Sequence, residues 1–165
     1  MALLIDGHNL IPHIHGISLS DPDDETQLIK VLQEYCRLRR KKAIVYFDKA
    51  PAGFSGSKRA GNVEAHFVQR GRTADDAIMD KLRRLGKRAR NVIVVSSDRQ
   101  VQQAARAVHA SVISSEAFAV EWEALISEEP SFDPSNRLLS EEELADWEAL
   151  FKRGHPKAGN DKYNN

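Results

Sequence analysis

Apolar residues along this chain fall into short runs, separated by longer stretches in which they recur every three or four positions. The runs are "ALLID" at 2–6, "AIVYFD" at 43–48, "NVEAHFVQ" at 62–69, "NVIVVSSD" at 91–98 and "SVIS" at 111–114. Their lengths and their β-branched and aromatic content predict strands. Between them, Leu28, Val31, Leu32, Tyr35 and Leu38 follow the helical period, in a stretch with an acidic start and a basic end that suit the helix dipole. "TADDAIMDKLRRLGKRA", "RQVQQAARAVHA" and "SEAFAVEWEALISEE" read as three further helices, the first opened by Thr73 and Asp76 at capping-box spacing. The segment 49–61, "KAPAGFSGSKRAG", is rich in Gly, Pro and Ser and reads as a loop.

Strands that alternate with helices predict an α/β fold: a parallel sheet of four or five strands flanked by helices. Residues 1–129 are expected to form one domain and 130–165 an appendage. Within the appendage, Leu144, Trp147, Leu150 and Phe151 share one side of a short helix at about 140–153. The closing "GHPKAGNDKYNN" has no apolar period and is expected to be disordered.

With 165 residues, 41% hydrophobic and 29% charged, the chain suits a single globular domain with a core of its own. Its one cysteine, Cys36, excludes an intrachain disulfide framework and is expected to be a packing residue. No window approaches the ~18 apolar residues of a membrane span. The first strand follows the N-terminus with no basic segment or cleavage site, so a cytoplasmic protein is expected.

Charge changes the picture. The formal net charge is zero, but residues 37–106 carry 18 Lys or Arg against six Asp or Glu, and both flanks are acidic. A basic excess that spans several elements points to a polyanionic partner. Arg70 and Arg72 stand just before an acidic helix, where they can meet substrate phosphates, and Arg99 follows Asp98. Lys58 and Arg59, in "GFSGSKR", either wrap a phosphate backbone or belong to a connector.

Three of the apolar runs end on an aspartate: Asp6, Asp48 and Asp98. In open α/β sheets, ligands bind at the carboxyl ends of the strands. Asp75 shares the i+3, i+4, i+7 face of Ile78, Met79 and Leu82, which has to pack on the sheet, so a fourth carboxylate turns inward there. Carboxylates gathered in one crevice repel one another unless a cation joins them, and all-oxygen sets suit Mg²⁺ or Mn²⁺. Such ions act on phosphate esters. The competing reading is that each strand-end aspartate caps the helix or turn that follows it.

"LLIDGHNLI", "IVYFD", "TADDAIMDKL" and "VIVVSSDRQVQQAARAVHA", in this order and spacing, resemble the NYN domain family of PIN-like ribonucleases, in particular its bacterial YacP-like branch. The likeness covers roughly residues 2–126, and "LLSEEELADWEALF" is similar to a C-terminal extension that some members carry. It implies that Asp6, Asp75 and Asp98 bind metal and that Asn9 and Asp48 match further polar positions of the site. Asn9 is expected to join the three aspartates in catalysis, and Asp48 and Asp76 to complete the metal shell. His8 departs from the family's usual "DGYN".

The expected function is therefore metal-dependent hydrolysis of RNA phosphodiester bonds, endonucleolytic, with RNA as the partner. The choice of RNA over DNA rests on the resemblance alone. A non-catalytic RNA- or ribosome-associated binding protein is the alternative, and a small-molecule phosphohydrolase or phosphoacceptor domain a third. Zinc is not indicated, since His8, His13 and His15 share a loop with no cysteine pair. No nucleophile elbow, P-loop or dinucleotide fingerprint occurs.

Overall fold

Successive residues of a strand face opposite sides of its sheet, so a strand buried on both sides must be apolar throughout. The first strand, β1 (Ala2–Asp6), is of this kind. Leu3 and Ile5 enter one core and Leu4 the other. The computed structural model describes residues 1–48, 56–69 and 71–128. After β1 come α1 (Gly7–Leu10), a single 3-10 turn (Ile11–His13), α2 (Asp24–Arg39), β2 (Lys42–Phe47), β3 (Gly56–Ala60) and β4 (Val63–Phe67). They are followed by α3 (Ala74–Leu85), a 3-10 segment (Gly86–Asn91), β5 (Val92–Val95), α4 (Arg99–Ala107), β6 (Ser111–Ile113) and α5 (Ser115–Ser127).

The strands form one sheet in the order β3-β4-β2-β1-β5-β6. Every neighbouring pair is parallel except β3 with β4. The core on one face joins α2 and α5 to the sheet through residues such as Leu32, Tyr35, Phe118 and Trp122. On the other face, Ile78 and Leu82 of α3 and Val101 of α4 pack beside Val92 and Val94. The α/β class is as the sequence predicts. The sheet has six strands rather than four or five because Gly56–Ala60, inside the segment read as a loop, pairs with β4. As an edge strand it has only Ala60 buried, so it lacks the apolar run that marks interior strands.

The strand order divides at β1, which has β2 on one side and β5 on the other. Chain that leaves β1 and β5 at their carboxyl ends therefore opens a crevice between them. Gly7, the first residue of that crevice, is required by close packing. A Cβ there would stand 2.4 Å from Cε1 of Phe47, which is fully buried. Gly7→Ala is expected to destabilise the protein by about 1–3 kcal/mol through overpacking, read as a lower melting temperature.

Cys36 is buried, and burial pushes its thiol up to about 12, in keeping with a packing role. Among the described residues, no helix is long and apolar enough to cross a membrane. The appendage expected at 130–165, including the helix expected at about 140–153, lies outside the described residues, and so does Arg70.

Candidate active site

Each strand-end aspartate begins with a local task. Asp6 is the N-cap of α1, and its Oδ1 accepts the Asn9 N–H at 3.4 Å. Asp98 caps α4 in the same way, accepting the Val101 N–H at 3.1 Å. Asp48, at the end of β2, accepts the Ala74 N–H at the start of α3. The helix-capping reading is thus realised at Asp6 and Asp98, and Asp48 does the like for the start of α3. A carboxylate has two oxygens, and the caps recorded for Asp6, Asp48 and Asp98 each engage only Oδ1.

Asp75 joins them. Thr73 and Asp76 close a reciprocal capping box, which fixes the start of α3, and Asp75 follows the cap by two positions on the half-buried side. Its carboxyl lies within hydrogen-bonding reach of both Asp6 and Asp98. Burial is the largest influence on Asp6 and, with the hydrogen bond and charge of Asp75 and the charge of Asp48, pushes it up to about 7 against the opposing Asn9 N–H. The Asp75 carboxyl is also raised, first by burial, with the Asp6 hydrogen bond opposing and the charges of Asp98 and Asp48 adding. Two carboxyls in such contact hold a proton between them at a pH where free aspartates have lost theirs.

The contacts run pairwise through Asp75. Among the described residues, no group of three or more His, Cys, Asp and Glu side chains stands ready-placed around one ion. The donor set is nevertheless all oxygen, the kind that a hard divalent cation takes.

Other expected site residues are placed differently. Asn9 ties the crevice together: its Oδ1 accepts the Ser97 N–H at 3.0 Å and the Ser115 hydroxyl at 2.6 Å, linking the ends of β1 and β5 to α5. Asp76 turns back to accept the Thr73 N–H at 3.2 Å, which gives its carboxylate a capping role. Lys58 and Arg59 are neighbours on a strand, so they face opposite sides of the sheet and cannot embrace one backbone as a loop could. Arg59 also faces Glu64 at 3.9 Å. Arg72 is ion-paired with Asp80, a carboxyl kept low by Arg83 and Arg72 together. Arg99, next to Asp98 in the first turn of α4, is exposed.

The sequence gives no signal for the polar residues behind the aspartates. Glu25 reads as an ordinary first-turn acid of α2, yet it is buried and reaches Nε2 of His8 at 3.3 Å. His8 lies against the Phe47 ring with centroids 5.4 Å apart. Burial alone would lower the His8 pKa. The hydrogen bond to Glu25 and the charges of Glu25, Asp24 and Asp48 together outweigh it and raise the imidazole above its ordinary value. Ser96, fully buried, accepts the Asp98 N–H on its Oγ at 3.1 Å and so holds the approach to α4.

The α/β fold agrees with the comparisons. The model of the YacP-like NYN domain matches residues 3–151. The chain belongs to the YacP-like NYN domain family. This is a family of ribonuclease type, and the match continues beyond residue 128, the last described. Two solved structures share the fold. The crystal structure of Rae1 (YacP) from Bacillus subtilis has a TM-score of 0.61 and 23% identity, covering 98% of this chain and 96% of that one. A point mutant of the same protein has a TM-score of 0.63 and 22% identity, covering 90% and 98% respectively. Among curated proteins nothing matches the sequence.

Proposed function

We propose that the protein is a metal-dependent endoribonuclease whose Asp6, Asp75 and Asp98 hold Mg²⁺ or Mn²⁺. The observation that carries this reading is the meeting of Asp75 with both Asp6 and Asp98 at the carboxyl edge of the sheet, with Asp6 buried and pushed up to about 7. A fold gains nothing from pressing acids together around a buried one, so their convergence supports a cation-binding role. When bound, the ion supplies positive charge to the phosphoryl oxygens and acidifies water. The chain's own part is to hold the donors in place. The caps at Asn9 and Val101 orient Asp6 and Asp98, and the Asp48 bond to Ala74 draws the start of α3 to the crevice. Asn9 is a positioning residue in this reading, and Asp48 and Asp76 support α3.

The reading also takes 1–129 as the catalytic body, with 130–165 as an appendage. The test is incubation of highly purified protein with labelled RNA, DNA and nucleotides, in Mn²⁺, in Mg²⁺ and in chelator. Internal cleavage of RNA that stops in chelator is the expected result. RNA bound but never cut would favour the binding-protein alternative, and hydrolysis confined to nucleotides would favour a small-molecule phosphohydrolase.

A further inference from the structure

In a parallel sheet, segments that lead into strands lie at the amino edge, opposite the edge that carries the aspartates. Two cation-rich segments do so here. Arg37 to Lys41 close α2 ahead of β2, and Lys87, Arg88 and Arg90 lie in the 3-10 segment ahead of β5. Between them is a cleft of about 740 Å³, with Arg40, Lys41, Lys42 and Arg88 among its lining residues. Among the described residues, no acidic one lines it. None of these four cations makes an ion pair among the described residues, whereas Arg37, also at the cleft, is held in a two-point pair by Glu34.

Arg40 adds an independent observation. It occupies the C-cap of α2 at φ 55°, the left-handed region. Glycine or asparagine takes that position at the least conformational cost. Conformational cost of this kind collects at functional positions, which makes Arg40 a candidate contact.

We infer that this cleft is a second RNA-binding site, which holds backbone phosphates on its cationic rim. The inference takes RNA as the partner from the reading above. The apolar part of the lining favours a nucleic acid over an acidic polypeptide. It includes the exposed side chain of Met1, so a ribose or base has a surface to rest on while its phosphates meet the rim. From Ala2 to Asp6 the sheet spans about 13 Å, so the cleft cannot touch the phosphate under attack. It holds a distant part of the same RNA, and the molecule is divided between an edge that cuts and an edge that grips.

The test is fluorescence anisotropy of a labelled RNA oligonucleotide with the full chain, in chelator so that nothing is cleaved. Arg40→Gly removes the charge and relieves the backbone strain together. It should weaken binding about 5-fold at moderate salt and lower the salt slope by about one, with no loss of melting temperature. The triple reversal Arg40→Glu, Lys42→Glu, Arg88→Glu should weaken binding about 100-fold or more. Unchanged affinity and slope in the triple variant would overturn the inference. So would polyglutamate that displaces the RNA at equal charge, which would assign the cleft to an acidic protein surface. Because binding is read without metal, a failure of catalysis would leave this result standing.

Discussion

Asp98→Asn is expected to abolish RNA cleavage, by about 10³-fold or more, while the protein folds as before. The two halves of this expectation have separate causes. Asparagine keeps an oxygen where Asp98 accepts the Val101 N–H, and it is as good an N-cap as aspartate, so α4 keeps its start. What is lost is a negative charge in reach of Asp75, and with it one donor for a divalent cation. Asp98→Ala removes the cap as well and should cost a further ~1 kcal/mol of stability. Comparing cleavage and melting temperature for the two variants separates the roles. Wild-type RNase activity in purified Asp98→Asn would sink the catalytic reading.

The second large effect is on the pH dependence of the metal-free protein. The Asp6 carboxyl titrates at about 7 in the folded state against 3.8 for the model aspartate. The folded state therefore holds this proton more tightly than the unfolded state. The stability it contributes is fully present below about pH 4 and is lost as pH rises through about 7. Measured in chelator, the melting temperature should fall across that window by more than in Asp6→Asn. The asparagine retains the cap to Asn9 but has no proton to lose. Mn²⁺ should stabilise wild type most at the alkaline end, where the carboxylates are ionised, and Asp6→Asn much less. A wild-type curve parallel to that of Asp6→Asn would show that Asp6 is not the strained group.

The structure realises the capping side of a competition that the sequence leaves open. A strand-end aspartate that caps a helix needs no further explanation, and Asp6 and Asp98 do cap helices. Capping engages one oxygen and fixes the carboxylate's direction. A cap placed at the β1–β5 crevice is for that reason a fixed carboxylate, which the proposed function uses to hold a cation. The same device holds Asp75, because the Thr73–Asp76 box sets the start of α3 and Asp48 fastens its first N–H to β2.

By itself the sequence determined the α/β class, the order of the helices and interior strands, the Thr73–Asp76 box and the inward turn of Asp75. All of these are written in local periodicity, or in residues a few positions apart. It could not show β3, whose pairing with β4 is made by backbone groups and leaves almost no apolar trace. Nor could it show that Glu25 meets His8 across 17 residues, or that Asn9 bridges to Ser97 and Ser115. Those contacts join residues far apart in the chain, and no local pattern encodes them. The same holds for charge. The count reveals a basic middle, but only the sheet topology sends Arg40, Lys41, Lys42 and Arg88 to one edge and Asp6, Asp48 and Asp98 to the other. A parallel sheet separates what enters its strands from what leaves them, and that separation is a property of the fold.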